Sequence, residues 1–133
     1  MSSASPMVTG VDFVSLPTKD LDAAREFYGT VLGLEGSVVY QRGSEPAFGA
    51  EFETGNLTLS LLAIAALGVD RQPSTGTVAL HVDDVAAARA ELESRGVTFL
   101  GETMDTGVCH VAQFTDPDGN ALMLHHRYAP RSG

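Results

Sequence analysis

Tryptophan is absent from this 133-residue chain, cysteine occurs once, and eight basic residues face seventeen acidic ones. Each scarcity removes a class of function. A lone Cys109 excludes an intramolecular disulfide and a zinc site built from four cysteines. The formal charge is −9, and Lys19, Arg25, Arg42, Arg71, Arg89, Arg95, Arg127 and Arg131 are scattered singly. No cationic patch is left to grip phosphates, so nucleic acid is not an expected partner. The acidity mildly favours cationic ligands. Long hydrophobic runs are also missing. The longest, Leu57 to Val69, is broken by Thr58, Ser60 and Gly68 and is too short to span a bilayer, so no membrane is expected as a partner. The opening residues, Met1 to Pro6, carry neither the basic nor the apolar region of a secretory signal, and the expected location is the cytoplasm. No Gly-rich phosphate loop, catalytic triad spacing or nucleotide fingerprint occurs.

What remains is a balanced globular composition, 44% apolar and 19% charged, sized for one domain or two half-size modules sharing a core. Residues 1–7 read as a small, polar tail. Val8 to Leu16 reads as a strand closed by Pro17, which has no amide proton for a ladder. Leu21, Ala24, Tyr28, Val31 and Leu32 recur at helical spacing between a capping Asp20 and a terminating Gly33, which predicts a helix over 20–32. Strands are expected over 37–42, 47–53 and 57–64, with Leu57, Leu59 and Leu61 alternating against Thr58 and Ser60. Residues 66–75 read as a linker. The order then recurs. A strand is expected over 76–82. A helix follows from Asp83-Asp84 to Gly96, then strands over 97–100, 108–114 and 120–126 and a loose tail from residue 129. Residues 115–119 (TDPDG) form the last turn, because proline presets one dihedral and glycine supplies positive φ.

The two halves share landmarks. Asp20-Leu-Asp-Ala-Ala-Arg25 matches Asp84-Val-Ala-Ala-Ala-Arg89 at an offset of 64 residues, and Gly55-Asn56 matches Gly119-Asn120 at the same offset. Each half is then a strand–helix–three-strand unit. The expected fold is α+β: two βαβββ modules (residues 8–65 and 76–128) in tandem, their curved sheets forming a cup with the helices on its outer face.

Residues 14–28 (VSLPTKDLDAAREFY), Val31-Leu-Gly-Leu34, the helix start at 82–89, Gly96-Val97 and Phe114-Thr-Asp-Pro-Asp-Gly-Asn120 together resemble the vicinal oxygen chelate superfamily, which includes glyoxalase I, extradiol dioxygenases and bleomycin resistance proteins. The resemblance covers residues 8–128. It implies paired modules that enclose a ligand or metal, and a homodimer with the pocket near its interface. Metal-dependent members place His, Glu or Gln at four strand positions. Carried onto this chain, those positions hold Phe13, Ser60 or Leu59, Thr77 and Met123. None is a strong donor for a divalent ion, which needs several lone-pair ligands at once. The resemblance therefore points to the metal-free branch, with no metal, no cofactor and no catalytic residue.

The expected function is binding of a hydrophobic or cationic small molecule, antibiotic or metabolite. Phe13, Thr77, Ala79, Met123 and His125 are the first candidates to line the cup. Tyr40, Phe48, Phe52 and Ser60 are further candidates. His81 shares the strand face of Thr77 and completes the ligand-binding set. A mostly apolar pocket with few orienting groups suits such a ligand. Two other readings stay open. One is a lyase or isomerase using a histidine base or a displaced metal site built from His81, His125 and Glu51. The other is a non-catalytic module whose cup is filled. Cys109 and His110 point to opposite faces of one strand and should not meet. Asp83-Asp84 reads as helix capping.

Overall fold

The computed structural model describes residues 6, 7, 9, 11–64 and 76–130. Most of the expected leading tail, the whole linker 66–75 and the last three residues fall outside that set. In chain order the elements are β1 (Phe13–Thr18), α1 (Leu21–Glu26) continuing as a π turn (Phe27–Val31), β2 (Glu35–Tyr40), β3 (Gly49–Glu53), β4 (Thr58–Ala63), β5 (Val78–His81), α2 (Val85–Ser94), β6 (Phe99–Asp105), β7 (Cys109–Thr115) and β8 (Ala121–Arg127). The strands form two four-stranded sheets, ordered β1-β4-β3-β2 and β5-β8-β7-β6. In each, the first strand runs parallel to the last and the others are antiparallel. This is the expected α+β arrangement of tandem βαβββ units.

Both helices begin where a short carboxylate can accept from the orphan amides of a first turn. Asp20 accepts from the Ala23 amide at 3.1 Å, and Asp84 from the Ala87 amide at 3.0 Å. Gly33 and Gly96 follow the helices with φ of 75° and 93°, the left-handed conformation that glycine adopts without a Cβ penalty. Three local expectations are corrected. Strand β1 continues through Pro17 instead of ending before it. Proline fits because β1 is an edge strand, where a missing N–H breaks no ladder. The first helix does not stay α-helical: the Leu32 amide bonds the Phe27 carbonyl at 2.9 Å, an i to i−5 closure. Strand β6 runs on to Asp105 past an irregularity between Leu100 and Met104, where Gly101 has φ 72°.

One face of each sheet is covered by its helix. Leu16, Ala50, Phe52, Leu59 and Leu61 of the first sheet join Leu21, Ala24 and Tyr28. Phe99, Ala112, Phe114, Leu122 and Leu124 of the second join Val85 and Leu92 in the same cluster. The two modules thus share a core on their helix-bearing sides. Phe27 meets Phe114 across it, ring centroids 6.4 Å apart.

A polar clasp seals one junction between modules. The buried Tyr28 hydroxyl donates to Asp116 Oδ2 at 2.8 Å. The Asn120 amide nitrogen donates to the same oxygen at 2.8 Å and to the Pro17 carbonyl at 3.0 Å. The backbone amides of Asp118 and Asn120 donate to Asp116 Oδ1, each at 2.9 Å. Lys19 N closes the set on Asp118 Oδ1 at 2.8 Å. Burial raises the Tyr28 pKa far above the ordinary tyrosine value, and the Asp116 carboxylate adds to the shift.

The internal repeat holds in space with a changing offset. Val14 pairs with Leu59 as Val78 pairs with Leu122, so the first strands differ by 64 residues and the last by 63. The second turn is one residue longer. Thr54 bonds Leu57 backbone to backbone at 3.1 Å, as Asp116 bonds Asn120 at 3.0 Å. Asn120 therefore matches Leu57, not the expected Asn56.

Candidate functional site

The faces turned away from the helices carry the candidate site. In the first sheet, register places Phe13, Ser15, Ser60, Glu51 and Tyr40 on this face. In the second it places Ala79, Met123, His125, Gln113 and Val111 there, with Leu100 and Met104 beside them. The choice left open between Leu59 and Ser60 is resolved: Leu59 is fully buried against the helix, and Ser60 points the other way. Phe13 is 52% exposed, Leu100 56% and Met104 52%, so each sheet offers uncovered apolar surface on this face.

At one end of the first face the Tyr40 hydroxyl donates to Glu51 Oε2 at 2.7 Å. That bond raises the Tyr40 pKa, because ionisation would set two anions against each other. Phe48 lies outside β3, its ring 5.9 Å from that of Tyr40, with the Arg42 guanidinium over it at 5.1 Å. Phe52 is in a different place from the one expected. It is buried on the helix-bearing side, 6.2 Å from the Tyr28 ring, because its register partner Leu59 faces the core.

On the second sheet Thr77 precedes β5 and is exposed. His81 lies opposite His125 in the ladder, yet its ring sits 5.9 Å from His126 and its Nε2 is 3.3 Å from Asp83 Oδ1. The displaced site considered for His81, His125 and Glu51 is not assembled. Glu51 is committed to Tyr40 on the other sheet, and among the described residues no three His, Cys, Asp or Glu side chains gather as ion ligands. Cys109 and His110 diverge as expected. The cysteine is buried, while His110 lies against Tyr128 and 3.5 Å from Asp105. Asp105 is held below the usual carboxylate range, chiefly by the Tyr128 hydroxyl and then by the Gly107 amide. Asp84 caps its helix, as read from the sequence.

The four positions that resemblance assigns to metal ligands are Phe13, Ser60, Thr77 and Met123. They offer two hydroxyls, one thioether and a phenyl ring, which does not fit a divalent ion needing several His or carboxylate ligands. The arrangement can present ring faces and methyl-rich surface to a ligand, with the Tyr40–Glu51 pair as a polar, anionic point. Leu100, Met104, Val111 and Gln113 were missed from sequence. The alternation of Val111 and Gln113 could have revealed two of them once β7 was paired with β8. The bulge hid the other two.

Comparison with known proteins agrees with this fold. The family model described as Glyoxalase/Bleomycin resistance protein/Dioxygenase superfamily matches residues 10–124. TnmS3, an antibiotic binding protein from Streptomyces sp. CB03234, is 27% identical with a TM-score of 0.71, over 92% of this chain and 99% of that one. A lactoylglutathione lyase from Agrobacterium tumefaciens shares the fold at 22% identity and a TM-score of 0.68, over 89% and 93% of the two chains. YetH of Bacillus subtilis (strain 168), itself uncharacterized, is 21% identical over 118 residues, 89% of this chain and 98% of its own. With the family model spanning both modules, the chain belongs to the Glyoxalase/Bleomycin resistance protein/Dioxygenase superfamily.

Proposed function

We propose that this protein binds a hydrophobic or cationic small molecule, of antibiotic or metabolite type, on the helix-free sheet faces, without a metal ion and as a homodimer. One observation carries the reading. The positions where metal-dependent relatives need donor atoms hold Phe13, Ser60, Thr77 and Met123. A phenyl ring and a thioether in place of imidazole and carboxylate turn an ion site into a contact surface for rings and alkyl groups. The likeness to an antibiotic binding protein supports the ligand class. The net charge of −9 and the Glu51 carboxylate beside Tyr40 support a cationic group on the ligand. A second copy is part of the reading because the apolar faces bearing Phe13, Leu100 and Met104 are open in one chain. The displaced-metal form of the competing lyase or isomerase reading needs His81, His125 and Glu51 to converge, and they do not.

The test is a thermal-shift titration against a panel of planar and cationic antibiotics, on protein stripped with EDTA and again with divalent ions restored. A ligand at one hundred times its Kd should add about 2.7 kcal/mol of stability. The same shift is expected with and without ions, and Phe13→Ala should weaken binding about tenfold or more, the consequence of losing part of a buried aromatic contact. Binding or turnover that demands one tightly held divalent ion per chain would overturn the reading.

A further inference from the structure

The duplication gives the molecule two junctions between modules, related by the internal repeat. In the first, the β7–β8 turn meets the end of β1 and the face of α1, and the Tyr28–Asp116–Asn120 clasp shuts it. In the second, the β3–β4 turn faces the end of β5 and the face of α2. Here the repeat supplies Leu92 for Tyr28, Thr54 for Asp116 and Leu57 for Asn120. All three clasp groups are lost, and a cavity of about 620 Å³ lies between the elements. Its walls are largely Leu57, Leu59, Val78, Leu80, Leu92 and Leu124. It opens on the helix-bearing side of the sheets and shares with the faces that bear Phe13 and Met123 only Ala79 and His81 of β5.

Most of the polar groups at its mouth have partners within the chain, and Asn56 accepts from the Thr54 hydroxyl through its Oδ1 at 3.2 Å. Thr54 donates its hydroxyl to the Leu57 carbonyl at 2.7 Å. Arg95 donates to the Val31 carbonyl at 2.8 Å and pairs with Glu91 at 3.7 Å. His81 is held by Asp83. No carboxylate stands where Asp116 receives the tyrosine hydroxyl in the sealed twin. The volume lies within the span of small-molecule sites, and it is several times that of an apolar cavity able to take benzene.

We infer that this second junction is a binding site for a neutral, ring-bearing apolar compound, separate from the sheet-face site. The sealed junction acts as the internal template: the same scaffold there encloses the Tyr28 ring, with the Phe27 ring beside it. Where the repeat withholds both rings, putting Glu91 and Leu92 in their positions, a free aromatic molecule takes the space.

The probes are p-cresol, which copies the tyrosine side chain, and 2-naphthol, titrated into the full-length protein while methyl resonances of Leu57, Leu80 and Leu92 are followed by NMR. Saturable shifts confined to those methyls are expected. Leu92→Tyr, which restores the ring of the twin, should weaken both probes at least tenfold. Ala88→Leu fills the same cavity from another point on α2 and guards against a folding defect in the first variant. Phe13→Ala should leave both probes unaffected. This separates the inference from the sheet-face reading, which fails or stands by the antibiotic titration. Absence of saturation, or binding lost in Phe13→Ala but kept in both filled variants, overturns the inference.

Discussion

Four donors converge on one buried carboxylate, Asp116, and one of them is the hydroxyl of Tyr28, 88 residues away in sequence. Hydrogen bonds to a charged group stabilise by about 1.5–3 kcal/mol. Tyr28→Phe keeps the ring and removes the donor, and it should lower unfolding stability by roughly that amount, read from urea denaturation midpoints. The raised pKa of Tyr28 adds a signature. Its contribution is fully present below the unfolded tyrosine value of about 10 and is lost progressively above it, as the unfolded chain ionises while the folded one resists. The alkaline decline of stability should therefore be shallower in Tyr28→Phe than in the wild type. In the sequence, Tyr28 is legible as one member of the apolar stripe and Asp116 as a turn residue. Their bond is not, because nothing local ties two positions that meet only when the modules pack. Facing follows the same logic. Phe13 and Met123 are placed by the family resemblance and Ala79 by alternation from Thr77, whereas Phe52 could not be placed, since its side was set by pairing with Leu59.

Helices were the most legible elements, and the reason is chemical. Asp20 and Asp84 accept amide protons from their own first turns, and Gly33 and Gly96 take up positive φ, so both ends are written within a few residues of where they act. Replacing Asp84 by Ala should cost about 1 kcal/mol, within the usual 0.5–2 kcal/mol for an N-cap, and should lower the thermal midpoint without altering far-ultraviolet circular dichroism at 25 °C. What escaped the sequence was irregular: the π turn after Glu26, the passage of β1 through Pro17, and the bulge that carries β6 to Asp105. The last two follow from neighbouring strands. An edge position tolerates proline, and a facing strand defines a bulge.

Taken whole, the molecule buries its helix-bearing sides in one shared core and leaves apolar side chains on the opposite faces. If a second copy covers those faces, sedimentation equilibrium at micromolar concentration should give the mass of two chains. Phe13→Asp combined with Leu100→Asp should then return the mass of one, while a single-chain mass for the wild type refutes the dimer. The order of elements and their repetition were readable from the 64-residue offset of the helix starts. The relation of one module to the other was not, because one residue more in the second turn and a changed trio at the clasp positions decide which junction closes. That clasp also sets a schedule for synthesis. Its earliest participant is Pro17 and its latest is Asn120, so most of the chain must leave the ribosome before the first module can be locked to the second. Until then a nascent chain carries a phenol without its acceptor and an unsealed apolar flank, the kind of exposed surface that makes a partly folded chain prone to aggregate.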